Sequence, residues 1–156
     1  MTTGFSHRPL VATDAAIAAA LHVDAFAALG ERGWTEREIA ELLLSPGVDG
    51  LLLQDEEANI GFALCRVAAD EAELLTIAVR PDRRRRGAGR TLLDLVVALA
   101  RARGARHLFL EVGADNPAAL ALYGGKGLQP VGRRQAYYHR PDRPAADAVV
   151  MRLALD

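Results

Sequence analysis

The stretch Val79 to Arg90, VRPDRRRRGAGR, carries the residue types and spacing most readily tied to chemistry in this chain. It leaves an apolar run of strand length and enters a helical pattern. A strand, a Gly-containing turn and a helix N-terminus make an anion site, because unpaired backbone N–H groups and the positive end of the helix dipole converge on one point. Gly87 and Gly89 remove side chains that would block close approach of a phosphate, while Arg84, Arg86 and Arg90 add charge, so a pyrophosphate would fit. No Lys-Ser/Thr pair follows, as a Walker A loop requires, and Gly87-Ala88-Gly89 lacks the third glycine of the dinucleotide fingerprint. Taken locally, the loop is open to three readings: a solvated basic loop, a nucleic-acid patch or an anion site. Against nucleic acid stand the near-neutral net charge and the absence of aromatic residues among these arginines. Glu111 is a second feature, since it interrupts the apolar run His107 to Val112. Strand alternation puts it on one face with His107 and Phe109, opposite Leu108, Leu110 and Val112; a Glu at an exposed strand end is the plain alternative. Tyr123 follows Asn116 by about two helical turns, on the face of Ala119 and Leu120, where a packed aromatic is the plain alternative.

Elements must hold these groups in place, and the apolar periodicity supplies them. Arg8 to Ala12 reads as a first strand, after which Thr13 can cap a helix with Ile17, Ala20, Leu21 and Ala28 at helical spacing, stopped by Gly30 and Gly33. Thr35 with Glu38 is a capping-box pattern for a second helix through Ile39, Leu42 and Leu43, ending before Pro46 and Gly47. From Val48 the period shortens: Gly50 to Gln54, Ile60 to Val67 and Glu73 to Val79 read as an antiparallel meander. Helical spacing returns from Gly89 to Arg103, with Gly104 as the stop. His107 to Val112 is a buried strand, and Asn116 with Pro117 supplies an N-cap and first-turn proline for a helix ending near Gly124. Two last strands fall around Leu128 to Arg133 and Ala146 to Leu155. The order β-α-α-β-β-β-α-β-α-β-β predicts an α+β sandwich, a mixed and mostly antiparallel sheet flanked by helices.

The chain has 156 residues, 19 Lys plus Arg against 20 Asp plus Glu, and a net charge of -1. All the basic residues except Lys126 are Arg. A hydrophobic content of 51% gives ample area for one core and excludes disorder as the main state. With no internal repeat and no linker rich in Pro, Gly and Ser, residues 1–156 are expected to form a single domain. No apolar run is expected to approach the ~18 to 20 residues of a membrane span, and Met1 to Leu10 lacks the core of a signal peptide, so a cytoplasmic protein without membrane partners is expected. The lone cysteine, Cys65, excludes an internal disulfide and reads as a buried thiol. His7, His22, His107 and His139 show no metal-ligand spacing, so no metal is expected.

The run Ile77-Ala78-Val79, Pro81-Asp82, then Arg84-x-x-Gly87-x-Gly89 with Arg90 opening a helix resembles the acetyl-CoA-binding motif of the GCN5-related N-acetyltransferases (GNAT). Leu110-Glu111-Val112, Asn116, Ala119, Leu122-Tyr123 and Gly127 resemble the second half of that family's core. The segment LEVGADNPAALALYGGKGLQPVGRRQAYY, followed by a polar loop and ADAVVMRL, is most similar to one branch, the RimI-type ribosomal-protein alanine N-acetyltransferases; Trp34-Thr35 also resembles that branch's Pro-Trp-Ser segment. Arg84 stands where that branch often has Gln, Gly33 replaces the Pro before Trp34, Gly113 stands where Arg is common, and Leu128 replaces a usual Phe. These departures bear on the acceptor more than on the coenzyme.

The resemblance implies a GNAT fold and direct attack of an amine on acetyl-CoA in a ternary complex. It implies Glu111 as the base, directly or through water, and Tyr123 as the acid that protonates the departing thiolate. An α-amine, with a free pKa of about 7.7 to 8.0 against about 10.4 for lysine, needs little help to deprotonate. The resemblance further implies coenzyme contacts from the backbone of Ile77 and Val79, from Arg84, Arg85, Arg86, Gly87, Ala88, Gly89 and Arg90, and from Asn116 and Tyr123. Trp34, Tyr137 and Tyr138 could line the slot for a peptide's first residues; packing explains each nearly as well. Arg133, Arg134 and Arg140 are expected as solvated surface charges. The expected partners are acetyl-CoA and a protein N-terminus, ribosomal first, with no nucleic acid. Acetylation of a small amine, or a non-catalytic acyl-CoA-binding module, are the alternatives.

Overall fold

The computed structural model describes residues 4–84 and 86–156. Seven strands form one sheet in the order β1-β2-β3-β4-β5-β7-β6, with β1 Ser6–Leu10, β2 Val48–Gln54, β3 Asn59–Ala68, β4 Glu71–Val79, β5 His107–Gly113, β6 Gln129–Arg140 and β7 Arg143–Ala154. The helices are α1 Ala15–Phe26, α2 Glu36–Leu43, α3 Ala88–Ala102 and α4 Pro117–Lys126. Every strand pair is antiparallel except β4 with β5. The predicted α+β order therefore holds.

Both sheet faces are covered. Leu92, Leu93, Val96, Val97 and Ala100 of α3 pack with Tyr123 of α4 against Leu108, Leu110 and Val112 of β5 on one face. On the other, Ala18, Leu21 and Ala25 of α1 and Ile39 of α2 pack against Leu52, Phe62 and Leu64. Full burial of a Val or Leu side chain is worth roughly 1.5 to 3 kcal/mol, so the α3 stripe is the main tie of that helix to the sheet, and Leu93→Ala would cost about 2 to 5 kcal/mol. Thr35 accepts from the Glu38 backbone N–H at 3.1 Å while Glu38 accepts from the Thr35 N–H at 3.0 Å, the predicted capping box.

Two corrections concern the ends of elements. The last two strands are much longer than their apolar cores, so Tyr137 and Tyr138 lie within β6 rather than between the strands. Cross-strand pairing with β7, interrupted by three register shifts, extends a hairpin whose exposed polar residues give no apolar pattern. The α4 helix also continues through Gly124 and Gly125 to Lys126, because the stop is Gly127 at φ +103. A third correction concerns α1. Ala12–Leu29 is long and apolar enough to pass for a membrane span by length and composition, contrary to expectation; in the fold Ala15, Ala18, Leu21 and Ala25 pack on the sheet.

Two irregularities open the sheet at its centre. In β4, Leu64 pairs with Thr76 and Cys65 with Leu74, leaving Leu75 as a bulge. Ahead of it Ala72 and Leu74 face α3; beyond it Ala78 faces α1, as does Thr76, which is hydrogen-bonded to His22 of that helix. In addition, β4 and β5 pair only from Glu71–His107 to Glu73–Phe109. Further along, β5 pairs only with β7 and β4 only with β3, so the two parallel strands part and leave a wedge between them.

Candidate active site

The wedge opens into a cavity of about 570 Å³ bounded by β4, β5, the N-terminus of α3, α4 and the loop between α1 and α2. Arg80 N–H donates to Ile60 O on β3 at 2.8 Å. Successive N–H groups of a strand point to opposite edges, so those of Val79 and Ile77 point into the wedge, where none of the described strands meets them.

At one end lies the start of α3. Gly87, its N-cap, has φ +84 and no side chain to satisfy the first turn, so the N–H groups of Ala88, Gly89 and Arg90 are left without intrahelical acceptors. Asn116, by contrast, caps α4 by accepting from Ala119 N–H at 3.2 Å, and its amide NH2 is the part left for a ligand. Arg84 lines the cavity and donates to Ala25 O of α1 at 2.9 Å. Gly87, Ala88, Gly89 and Arg90 line it too. Arg86 is exposed and 3.5 Å from Asp55; Arg85 lies outside the described residues. Arg83, the remaining member of the run, is committed to Asp55 at 2.8 Å with further pairs to Asp82 and Glu57. The Glu57 backbone N–H and the Arg83 guanidinium hold the Asp55 carboxyl down to about 2. The loop is thus pinned to the β2–β3 turn.

At the other end β5 presents Glu111, whose Oε1 is 3.0 Å from Arg134 Nε. Tyr123 from α4 is buried and borders the same cavity; burial, with Tyr138 nearby, pushes its phenol well above the usual range, so it stays protonated. Tyr138 and Trp34 also line the cavity. Burial first, then Glu111 and Glu31, push Tyr138 up to about 12. Tyr137 lies on the outside, edge-on to Tyr138 at 5.2 Å with the Arg134 guanidinium 5.4 Å over its ring.

Sequence reading missed four groups. Arg140, expected at the surface, has a side chain only 2% exposed, with Nη2 2.9 Å from Glu31 and Nη1 2.7 Å from Asp115. Its partners come from two other loops, which no local pattern reveals. Gly113 leaves room for it: a Cβ there would come within 2.7 Å of Asp115 Oδ1 and 3.4 Å of Arg140 Nη2. Arg134 stays more than half exposed, as expected, but also pairs with Glu111. His22 and Thr76 are buried and hydrogen-bonded at 3.1 Å. A polar residue inside the apolar stripe of Ala18, Leu21 and Ala25 was the one available signal for His22. Among the described residues no cluster of His, Cys, Asp or Glu could hold a metal. Burial pushes the Cys65 thiol up to about 11, leaving it protonated and unreactive.

Residues 17–127 match the acetyltransferase (GNAT) family. The chain is 43% identical over 94 residues to the ribosomal protein bS18-alanine N-acetyltransferase of Escherichia coli strain K12, covering 60% of this chain and 63% of that relative. The match thus spans a little under two thirds of the relative's length. A Salmonella typhimurium relative of the same name is 40% identical over 109 residues, 67% of this chain and 70% of the relative. The crystal structure of the Escherichia coli ribosomal-protein-S18-alanine N-acetyltransferase superposes with a TM-score of 0.88 at 33% identity, over 97% of this chain and 94% of that one.

Proposed function

This chain belongs to the acetyltransferase (GNAT) family, and on that premise we propose that it transfers acetyl from acetyl-CoA to the N-terminal α-amine of a protein, a ribosomal protein beginning with Ala being the first candidate. One observation carries the reading: the wedge between β4 and β5 joins an uncapped, Arg-flanked helix start to a carboxylate and a buried phenol in a single cavity. The names of the bacterial relatives support the choice of acceptor. Residues 1–156 act as one catalytic domain, located in the cytoplasm, with no metal and no nucleic-acid partner.

Acetyl-CoA supplies the thioester. The N–H groups at Gly87 to Arg90, with Arg84, Arg85, Arg86 and Arg90, hold its phosphates at the positive end of α3. The backbones of Ile77 and Val79 and the Asn116 amide hold its pantetheine arm as an added strand in the wedge. Val79 N–H polarises the acetyl carbonyl and stabilises the charge that develops on its oxygen. Glu111 takes the amine proton, directly or through water, and Tyr123 donates its phenolic proton to the thiolate as that sulfur departs. Trp34 and Tyr138 flank the entering peptide, and Tyr137 braces Tyr138. The test is acetyl-CoA with purified protein and a panel of N-terminal peptides and small amines, read as free CoA. Peptides beginning with Ala should lead; turnover of small amines alone would move the acceptor assignment to a small molecule, and none at all would point to a coenzyme-binding module.

A further inference from the structure

His22 does not take part in this chemistry, yet it is 3% exposed and lines the same cavity. Its Nδ1 lies 3.0 Å from the backbone nitrogen of Trp34, and its Nε2 lies 3.1 Å from Thr76 Oγ1. An amide N–H can only donate, so Nδ1 must be the acceptor and the ring proton sits on Nε2, donating to Thr76. The ring is stacked between Phe26 at 4.3 Å and Trp34 at 4.7 Å, with interplanar angles of 21° and 15°. Thr76 follows the Leu75 bulge, one residue before Ile77. Trp34 belongs to the α1–α2 loop, which also supplies Glu31 to the cavity wall. That loop is seated closely on α1: Gly33 has φ +77, and a Cβ there would fall 3.0 Å from Val23 Cα, so glycine is required for the contact.

We propose that His22 is a positioning residue for the acceptor: its ring, kept Nε2-protonated by Thr76 of the opened strand β4, offers Nδ1 to the Trp34 loop and so fixes the acceptor side of the cavity. This role rests on the reading above that the cavity takes an amine beside Glu111. Trp34 presents its ring at a set depth because its backbone N–H is held by Nδ1, and Thr76, by accepting from Nε2–H, keeps the ring proton off Nδ1 so that Nδ1 can accept. Loss of the Nδ1 acceptor frees the loop and leaves the coenzyme end untouched.

Two isosteric substitutions separate the bonds. His22→Asn places an amide oxygen near Nδ1 and keeps the bond to Trp34; His22→Gln places its amide near Nε2 and keeps only the bond to Thr76. With an Ala-initiated peptide and acetyl-CoA, His22→Gln should raise the peptide KM about tenfold and leave the acetyl-CoA KM within twofold, whereas His22→Asn should keep both within about threefold. Trp34 is the sole tryptophan, so its emission reports the loop directly: red-shifted and more open to acrylamide in His22→Gln, unchanged in His22→Asn. If either variant fails to fold, Thr76→Val makes the same decision, with a raised peptide KM and a red shift expected. Equal effects of the two His22 variants, or an equal rise in both KM values, would overturn the proposal. If the wild-type protein acetylates no peptide, the acceptor reading fails, and the emission comparison still decides whether His22 sets the loop.

Discussion

Glu111 and Arg134 stand 3.0 Å apart, so the amine proposed to enter there would share the carboxylate with a guanidinium. The pairing engages Oε1 and leaves the second carboxylate oxygen for the proposed amine. Replacing Glu111 by Gln should lower kcat by about 10²- to 10⁴-fold while the affinity for CoA, measured by calorimetry, stays within twofold. The same scale holds the pH sensitivity of the fold. Burial, opposed weakly by Glu38 and aided by Arg32, pulls His22 down from its ordinary 6.5 to about 4. The folded state therefore keeps His22 neutral where the unfolded chain would protonate it. The stability that results is complete above about pH 6.5 and is lost as pH falls from there towards 4, on the order of 3 kcal/mol in all. Urea unfolding of wild type and His22→Gln at several pH values between 4 and 7 checks this: the wild-type protein should lose more stability on acidification.

Asn116 and Asp55 work through elements. The Asn116 side chain caps α4 with its oxygen, so capping alone explains its presence, and the bond it is proposed to make to the coenzyme must use its NH2 group. Asn116→Asp keeps the oxygen and removes that donor. It should leave the Tm within a few degrees and weaken CoA binding several-fold; unchanged CoA binding would assign the residue to capping only. The Asp55 side chain is 5% exposed and pairs with Arg83, tying the β4–α3 loop to the β2–β3 turn. Asp55→Asn removes the ion pair without changing shape. The loop then loses its anchor to the β2–β3 turn, and the Kd for CoA should rise several-fold with kcat at saturating coenzyme unchanged.

Across the whole molecule Arg140 ties three segments together: the β6–β7 hairpin on which it sits, the α1–α2 loop through Glu31 and the β5–α4 loop through Asp115. Glu31 and Asp115 are 28% and 32% exposed, so losing the buried guanidinium leaves two partly solvated carboxylates close together, at a cost below the ~3 to 5 kcal/mol of a fully buried pair. Arg140→Met should lower the urea midpoint accordingly. It should also raise the peptide KM, because all three segments border the acceptor end of the cavity. The charge of the molecule is arranged on the same scale. Arginines gather at the α3 start, while at the opposite end of the cavity Glu31, Glu111 and Asp115 are paired with Arg140 and Arg134, an excess of one carboxylate. A net charge of -1 conceals the arginine cluster at the α3 start, which suits the anionic coenzyme proposed to bind there.

Sequence alone determined the features whose causes are local. Element order followed from periodicity, and the α2 and α4 starts followed from Thr35 with Glu38 and from Asn116 with Pro117. The open α3 start was legible because glycines and arginines at that spacing act through the adjacent backbone. The resemblance to the GNAT motifs placed Glu111 and Tyr123 in one reading, and the fold brings both to one cavity. Tertiary structure decided what depends on partners far along the chain. Arg140 meets Glu31 across 109 positions, so its burial could not be told from that of Arg133, which stays at the surface. The Leu75 bulge and the early parting of β4 from β5 arise from pairing register, which is set by neighbouring strands. The role of His22 required both its hydrogen-bond partners, 12 and 54 positions away. A polar group's fate in a core is fixed by which partners the fold delivers, because burial without them is too costly to persist.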